Sequence, residues 1–244
     1  MHPQIVDRSA WLAARKALLA EERDLTHRRD RLRTRRQALP WVKVEKAYVF
    51  AAPEGPRTLA ELFAGRSQLW VQHFMLAPGA AHICPGCACF ADHADVSRRH
   101  FEHADLSFAA VSRASAEEIA AVKDRMGWTF AWVSCADNGF NHDFGAAFTP
   151  AEIADGAAQY NYGTTRNPAE DMPANSVFAR TADGEIFHTY STYARGNDDL
   201  FFPFQFLDRT PNGRNEADGP MSWVRLRDEY AAPDSARPVR APGA

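Results

Sequence analysis

Cys84 and Cys87 stand three positions apart in Cys84-Pro85-Gly86-Cys87, and no other stretch of the chain offers chemistry so compactly. Two thiols at this spacing can close a disulfide. If the first sits at the start of a helix, the free backbone N–H groups and the helix dipole stabilise its thiolate. Cys84 is then the nucleophile and Cys87 the resolving thiol. Pro85 removes one of the N–H groups that would otherwise face the sulfur, so the motif alone does not fix the redox poise. The competing chemistry is zinc binding, for which Cys84, Cys87, Cys89, His82 and His93 are candidate ligands, although a second Cys-x-x-Cys pair is missing. A helix start followed by a strand favours the redox pair. Cys89 lies two residues past Cys87 and points to another side of a helix. Cys135 closes an apolar run and reads as a small buried hydrophobe.

Other polar residues fall where they could serve such a site. Arg113 and Arg195 follow apolar runs and could supply positive charge to a thiolate, unless carboxylates such as Asp137 or Asp198 pair with them. Tyr160, Tyr162, His188, Tyr190 and Tyr193 form an aromatic set from which a hydroxyl or imidazole could donate a proton. His73, inside an apolar run, reads as a hydrogen-bonded core residue.

The elements that must position these residues are legible in outline. Residues 69–76 are apolar apart from Gln72 and His73, as expected of a strand buried on both faces of a parallel sheet. After the dithiol, Phe90, Val96, Phe101 and Leu106 mark the buried side of a helix, and residues 106–111 form the next strand. Ser115 with Glu117 and Glu118 starts a helix whose apolar side (Ile119, Val122, Met126) stops at Gly127, and residues 130–134 are a third strand. Strands alternating with helices imply parallel pairing through right-handed crossovers. Thr149-Pro150 starts a short helix in a loop-rich stretch, and residues 176–180 and 185–193 form an antiparallel hairpin. Residues 200–207 are a last apolar run. Upstream, Ser9 caps a helix that runs to about Leu39 before Pro40. Its stripe of Trp11, Leu12, Leu18, Leu19, Leu25 and Leu32 is suited to packing on a second subunit. Residues 42–51 alternate as a strand does, a turn follows at residues 53–56, and Leu59, Leu62 and Phe63 mark a short helix ending at Gly65.

Composition bounds the function. A chain of 244 residues with 45% hydrophobic and 24% charged residues can bury a sizeable core. A net charge of -3 fits neither a nucleic-acid binder nor a polyanionic tail, and the arginines of residues 27–36 lack interleaved aromatics. No segment approaches the roughly 20 apolar residues that span a bilayer. Residues 1–15 lack the apolar centre and cleavage site of a secretory leader, and three of the four cysteines crowd into residues 84–89, so a reducing cytoplasm is expected.

The order strand, dithiol helix, strand, strand, hairpin is that of a thioredoxin fold. The chain also resembles a family of bacterial thioredoxin-like proteins catalogued as domain of unknown function 899 and labelled dithiol-disulfide oxidoreductases. The resemblance lies in Leu39-Pro40-Trp41-Val42-Lys43-Val44-Glu45-Lys46, the dithiol, Phe108-Ala109-Ala110-Val111-Ser112-Arg113, Arg125-Met126-Gly127-Trp128, Tyr160-Asn161-Tyr162-Gly163 and His188-Thr189-Tyr190-Ser191-Thr192-Tyr193-Ala194-Arg195-Gly196, within roughly residues 5–215. Peroxiredoxins carry a Thr or Ser three residues before the reactive cysteine and a Pro four before that; here these are Ala81 and Ala77, against peroxide chemistry. The place of the thioredoxin cis-proline falls on Asn175, with Pro173 two residues earlier.

Together these readings give an α/β, thioredoxin-like three-layer sandwich over residues 41–215, a helical extension over 1–40 and a partly disordered, loop-rich extension over 216–244. The expected activity is thiol-disulfide oxidoreduction by Cys84 and Cys87. Pro85, Gly86, Arg113, Trp128, Tyr162, His188, Tyr190 and Arg195 are expected to bind substrate or stabilise the thiolate. No cofactor or metal is expected; the partners are a protein or small-molecule disulfide, an external thiol reductant and a second copy of the chain through the N-terminal helix. The alternatives are a zinc- or ligand-binding module on the same scaffold and a thiol peroxidase.

Overall fold

A computed structural model describes residues 4–165 and 168–230. The described residues up to Pro40 form one unit and those from Trp41 onward a second. The first unit is helix α1 (Arg8–Gln37). Asp7 caps it, accepting from the Ala10 N–H at 2.8 Å, and the Ser9 hydroxyl donates to the same carboxylate. Both residues can cap, but the carboxylate reaches the first free N–H while Ser9 lies within the helix. No α1 residue is buried, and the stripe of Trp11, Leu18, Leu25 and Leu32 is exposed.

The second unit is built on a six-stranded sheet. In chain order its elements are β1 (Val42–Lys43), β2 (Val49–Phe50), β3 (Arg57–Thr58), α2 (Leu59–Leu62), β4 (Gln68–His73), α3 (Pro85–His103), β5 (Leu106–Ser112), α4 (Ala116–Met126), β6 (Ala131–Ser134), α5 (Phe140–Asp143), α6 (Pro150–Ala154), β7 (Ala174–Arg180), β8 (Ile186–Tyr193) and α7 (Phe202–Leu207). The sheet order is β1-β8-β7-β4-β5-β6, with β4, β5 and β6 parallel and β7 antiparallel to β4. The crossovers β4-α3-β5 and β5-α4-β6 advance in the same direction. Right-handed connections therefore place α3 and α4 on one face. There Phe74, Phe108 and Trp132 of the sheet side pack with Ala88, Phe90 and Ala91 of α3 and with Ile119 and Met126 of α4. The opposite face, with Leu69, Val71, Ala109 and Val111, is covered by the β2–β3 ladder, α2 and Phe140 of α5. Helix, sheet and helix-plus-ladder layers, with the α3 crossover beside an antiparallel hairpin, make this a thioredoxin-like α/β sandwich.

Three expectations are corrected. Val96 is 82% exposed. At about 100° per residue it stands about 240° from Phe90, whereas Phe101 returns to within about 20° of it. Residues 42–51 do not form one strand: β1 joins the sheet edge at β8, whereas β2 leaves the sheet to pair with β3. Residues 216–230 pack with the second unit, burying Val224 and Leu226. The tail expected from Pro233 lies outside the described residues. Among the described residues no helix is long and apolar enough to cross a membrane.

Candidate active site

The chain rises through β4, whose pairing extends past its end: the Phe74 N–H donates to the Val111 carbonyl at 3.0 Å, and the Ala114 N–H to that of Leu76 at 2.9 Å. The loop that follows is fixed from α4. Ser115 and Glu118 form a capping box there, and the same Glu118 carboxylate accepts the Gly79 N–H at 2.6 Å. The chain then enters α3 with Cys84 as N-cap and Pro85 in the first turn, where its fixed φ suits the helix and its missing N–H leaves no ladder bond unmade.

The Cys84 sulfur accepts the Cys87 N–H at 3.3 Å. The Cys87 thiol, hydrogen-bonded to that sulfur, holds the Cys84 pKa below the ordinary thiol value; the Cys87 and Gly86 N–H groups assist against the opposing effect of burial. Cys87, 4% exposed, is pushed well up, first by its hydrogen bond to Cys84 and then by burial. Burial raises Cys89 and Cys135 to about 11 each. Of the four cysteines only Cys84 is held down, and it is also more accessible than Cys87.

A cavity of about 580 Å³ opens beside the pair. Cys84, Pro85, Gly86 and Cys87 line it together with Pro173, Asn175 and residues drawn from 194–224. Under the dithiol, Gln72 donates from Nε2 to the Cys87 carbonyl at 2.9 Å. Asn175 accepts from Trp70 Nε1 at 2.8 Å and donates to Asn197 Oδ1 at 2.9 Å. Gly86 is closely approached: a Cβ there would meet the Met221 methyl at 3.2 Å, from which that side chain would have to yield by a few tenths of an ångström, and the Cys84 sulfur at 3.9 Å.

Of the residues expected at the site, the cavity gathers Cys84, Cys87, Pro85, Gly86 and Arg195. Arg195 stands at the mouth, its side chain 89% exposed and its Nε 3.2 Å from Asp198. The others lie elsewhere. Arg113 makes a two-pronged pair with Asp171 at 2.7 and 2.9 Å, which anchors the strand-end loops instead of facing the sulfur. Trp128 is buried against Phe74 and Trp132 and donates to Asp92 at 2.8 Å. Tyr162 packs edge-on against Tyr193 and donates to the Ser191 carbonyl. Tyr190 lies on β8 opposite Val177. His188 borders a separate cavity of about 370 Å³ with Lys46 and Asp143, on the side of the sheet that carries the β2–β3 ladder. The candidate zinc ligands do not converge: among the described residues no three His, Cys, Asp or Glu side chains group so as to hold a metal ion. Every described peptide bond is trans, including that of Pro173.

Asn197, Phe201, Phe204, Arg214, Met221 and Val224 were not expected at the cavity: residues 200–207 read only as an apolar run, and the others come from a 3₁₀ segment and turns without periodicity. Gln72 was visible as a polar residue inside an apolar strand.

A family model described as bacterial protein of unknown function (DUF899) matches residues 1–230. No curated protein matches the chain in sequence. Among solved structures, peroxidoxin BcpB from Mycobacterium tuberculosis is similar at 14% identity and a TM-score of 0.44, over 67% of this chain and 92% of that one. Peroxiredoxin Q from Xanthomonas campestris is similar at 16% identity and a TM-score of 0.42, over 63% and 87%. A protein from Bacteroides vulgatus titled a putative thiol-disulfide oxidoreductase is similar at 12% identity and a TM-score of 0.33, over 43% and 70%.

Proposed function

The chain belongs to the DUF899 family, and we propose that it is a thiol-disulfide oxidoreductase working through Cys84 and Cys87. The observation that carries this reading is the asymmetry of the pair: a half-buried Cys84 at a helix N-cap, held toward its thiolate, beside a buried neighbour held as a thiol. The Cys84 thiolate attacks one sulfur of a disulfide R–S–S–R′. The Cys84–S–R bond forms, the S–S bond breaks, and R′S⁻ leaves and takes a proton from solvent. Cys87 then gives up its proton and attacks the Cys84 sulfur, and RS⁻ departs with that proton as RSH. Two electrons have passed to the substrate, leaving a Cys84–Cys87 disulfide that an external dithiol reduces. The electrostatics of the pair support this order: Cys87 is held up by its hydrogen bond to the Cys84 sulfur, by burial and by the Cys84 charge, and the mixed disulfide removes that charge just when Cys87 must ionise.

Alkylation of the reduced protein by iodoacetamide, followed against pH with the modified residue identified by mass spectrometry, tests the assignment. Cys84 is expected to react first, with a midpoint below that of an ordinary thiol, and Cys87, Cys89 and Cys135 to lag. First modification at Cys87 or Cys89, or a Cys84 midpoint at or above the ordinary value, would contradict it.

A further inference from the structure

We infer that α1 is a dimerisation element: two copies of the chain associate through this helix, laid antiparallel about a two-fold axis at Leu25.

The helix calls for a partner. It is 30 residues long and none of them is buried. Helices in proteins draw most of their stability from an apolar face that they bury, and α1 leaves its own uncovered.

Its apolar residues specify the kind of partner. Trp11, Leu18, Leu25 and Leu32 recur every seven residues and are between 43% and 50% exposed. At about 100° per residue the four fall within about 60° of the helix circumference. Leu12 and Leu19 widen this stripe in the first half only; beyond Ala20 it is flanked by charge. A helix lying on a sheet or in a lipid surface needs an apolar arc of about 100° or more. A narrow seam with a strict repeat of seven suits a second helix, since that period lets two helices supercoil around each other.

Charge selects the copy and its direction. α1 carries ten Lys and Arg against four Asp and Glu, and the signs are segregated: Glu21, Glu22 and Asp24 precede six arginines between Arg28 and Arg36. On the helical wheel Glu21 and Arg28 lie on one flank of the stripe, Glu22 and Arg29 on the other. Parallel helices bring opposite flanks together at the same level, which would set Glu21 against Glu22 and Arg28 against Arg29. Antiparallel helices bring like flanks together. With Leu25 on the axis, Leu18 of each copy lies beside Leu32 of the other, Glu21 faces Arg28 and Glu22 faces Arg29. The axis repeats each match, so one helix carries both halves of the pattern it needs. Glu22 also pairs with Arg15 of its own helix at 2.7 Å, and its side chain remains 48% exposed and open to a second cation.

Sedimentation velocity of the full chain across micromolar concentrations, at low and high salt, tests this. The unaltered protein is expected to be a dimer that salt weakens. Leu25→Arg, which meets its own copy on the axis, is expected to give a monomer whose Cys84 alkylation midpoint is unchanged, showing that the second unit is still folded. Glu21→Arg with Glu22→Arg is expected to raise the dissociation constant about tenfold or more, and adding Arg28→Glu and Arg29→Glu to that variant to restore it. A parallel dimer would exchange one like-charge contact for another and move little. A monomeric unaltered protein, a dimer that survives Leu25→Arg, a dimer that the reversal at Glu21 and Glu22 leaves unchanged, or a full swap that fails to restore it would overturn the proposal. So would a monomer that co-sediments with vesicles of phosphatidylcholine and phosphatidylserine, which would give the stripe and its arginines to a lipid surface.

Discussion

Cys84→Ser is expected to abolish disulfide exchange, and Cys87→Ser to halt it halfway with substrate bound covalently to Cys84. The two variants differ because the thiols occupy different positions. The Cys84 sulfur terminates α3 and accepts the Cys87 N–H, so an incoming disulfide meets it first; Cys87 is enclosed beneath it and over the Gln72 side chain. A serine hydroxyl at position 84 keeps the cap and hence the helix, but it is not ionised near neutrality and cannot attack sulfur. The effect is then a loss of rate to background with little loss of stability. In Cys87→Ser the first attack proceeds and nothing resolves it. Incubation with a disulfide substrate and mass analysis without reductant should show one adduct per chain at Cys84 in Cys87→Ser and none in Cys84→Ser. Adducts in both variants, at Cys89 or Cys135, would assign the chemistry to another thiol.

The second large effect concerns acid stability. His73 is 1% exposed on β4, stacked on Phe140, with Nδ1 2.8 Å from Asn141 Oδ1 and Nε2 2.8 Å from Ser176 Oγ. The network continues from Ser176 to Ser191 and on to His188. Burial lowers the His73 pKa to about 4 from an ordinary 6.5. The folded protein thus holds this ring neutral where the unfolded chain would protonate it. Between pH 6.5 and 4 the unfolded state binds more protons, so stability falls as pH falls. At about 1.4 kcal/mol per unit, the interval amounts to about 3 kcal/mol from this residue. Urea unfolding at pH 7 and pH 4 checks the sign and size. His73→Leu should be less stable than the unaltered protein at pH 7, since it strands Asn141 and Ser176, yet lose about 3 kcal/mol less on acidification. Equal acid losses in both proteins would show that His73 is not held neutral.

How much of this was legible beforehand follows from which interactions are local. The dithiol, its helix and the strands on either side were readable because cap, proline and apolar periodicity all lie within a few residues of each other. The Ser115 to Gly127 helix was equally clear: its capping box and its left-handed glycine, φ 65°, are local signals. His73 read correctly as a hydrogen-bonded core residue. What failed needed knowledge of distant partners. Arg113 looked available for a thiolate, but Asp171, 58 positions on, claims it. Trp128 and His188 carry polar atoms, yet Asp92 binds the first and Ser191 the second, and neither lines the dithiol cavity. Residues 42–51 alternate as a single strand would, but alternation does not say that the segment switches sheets midway. The cavity lining from residues 194–224 comes from a 3₁₀ segment, the short helix α7 and turns; only the apolar run of residues 200–207 was visible beforehand, and nothing in it said where it would pack. The mixed amide floor of Gln72, Asn175 and Asn197 could be suspected only from the single polar residue in an apolar run.

The proposed chemistry requires that Cys84 and Cys87 form one redox couple. Protein equilibrated across a series of glutathione redox buffers, acid-quenched, alkylated and mapped by mass spectrometry is predicted to show a single reversible two-electron transition, with a Cys84–Cys87 disulfide appearing and Cys89 and Cys135 remaining thiols throughout. A pair that stays reduced across the whole series, or a disulfide that joins Cys84 to Cys89 or Cys135 instead, would contradict it.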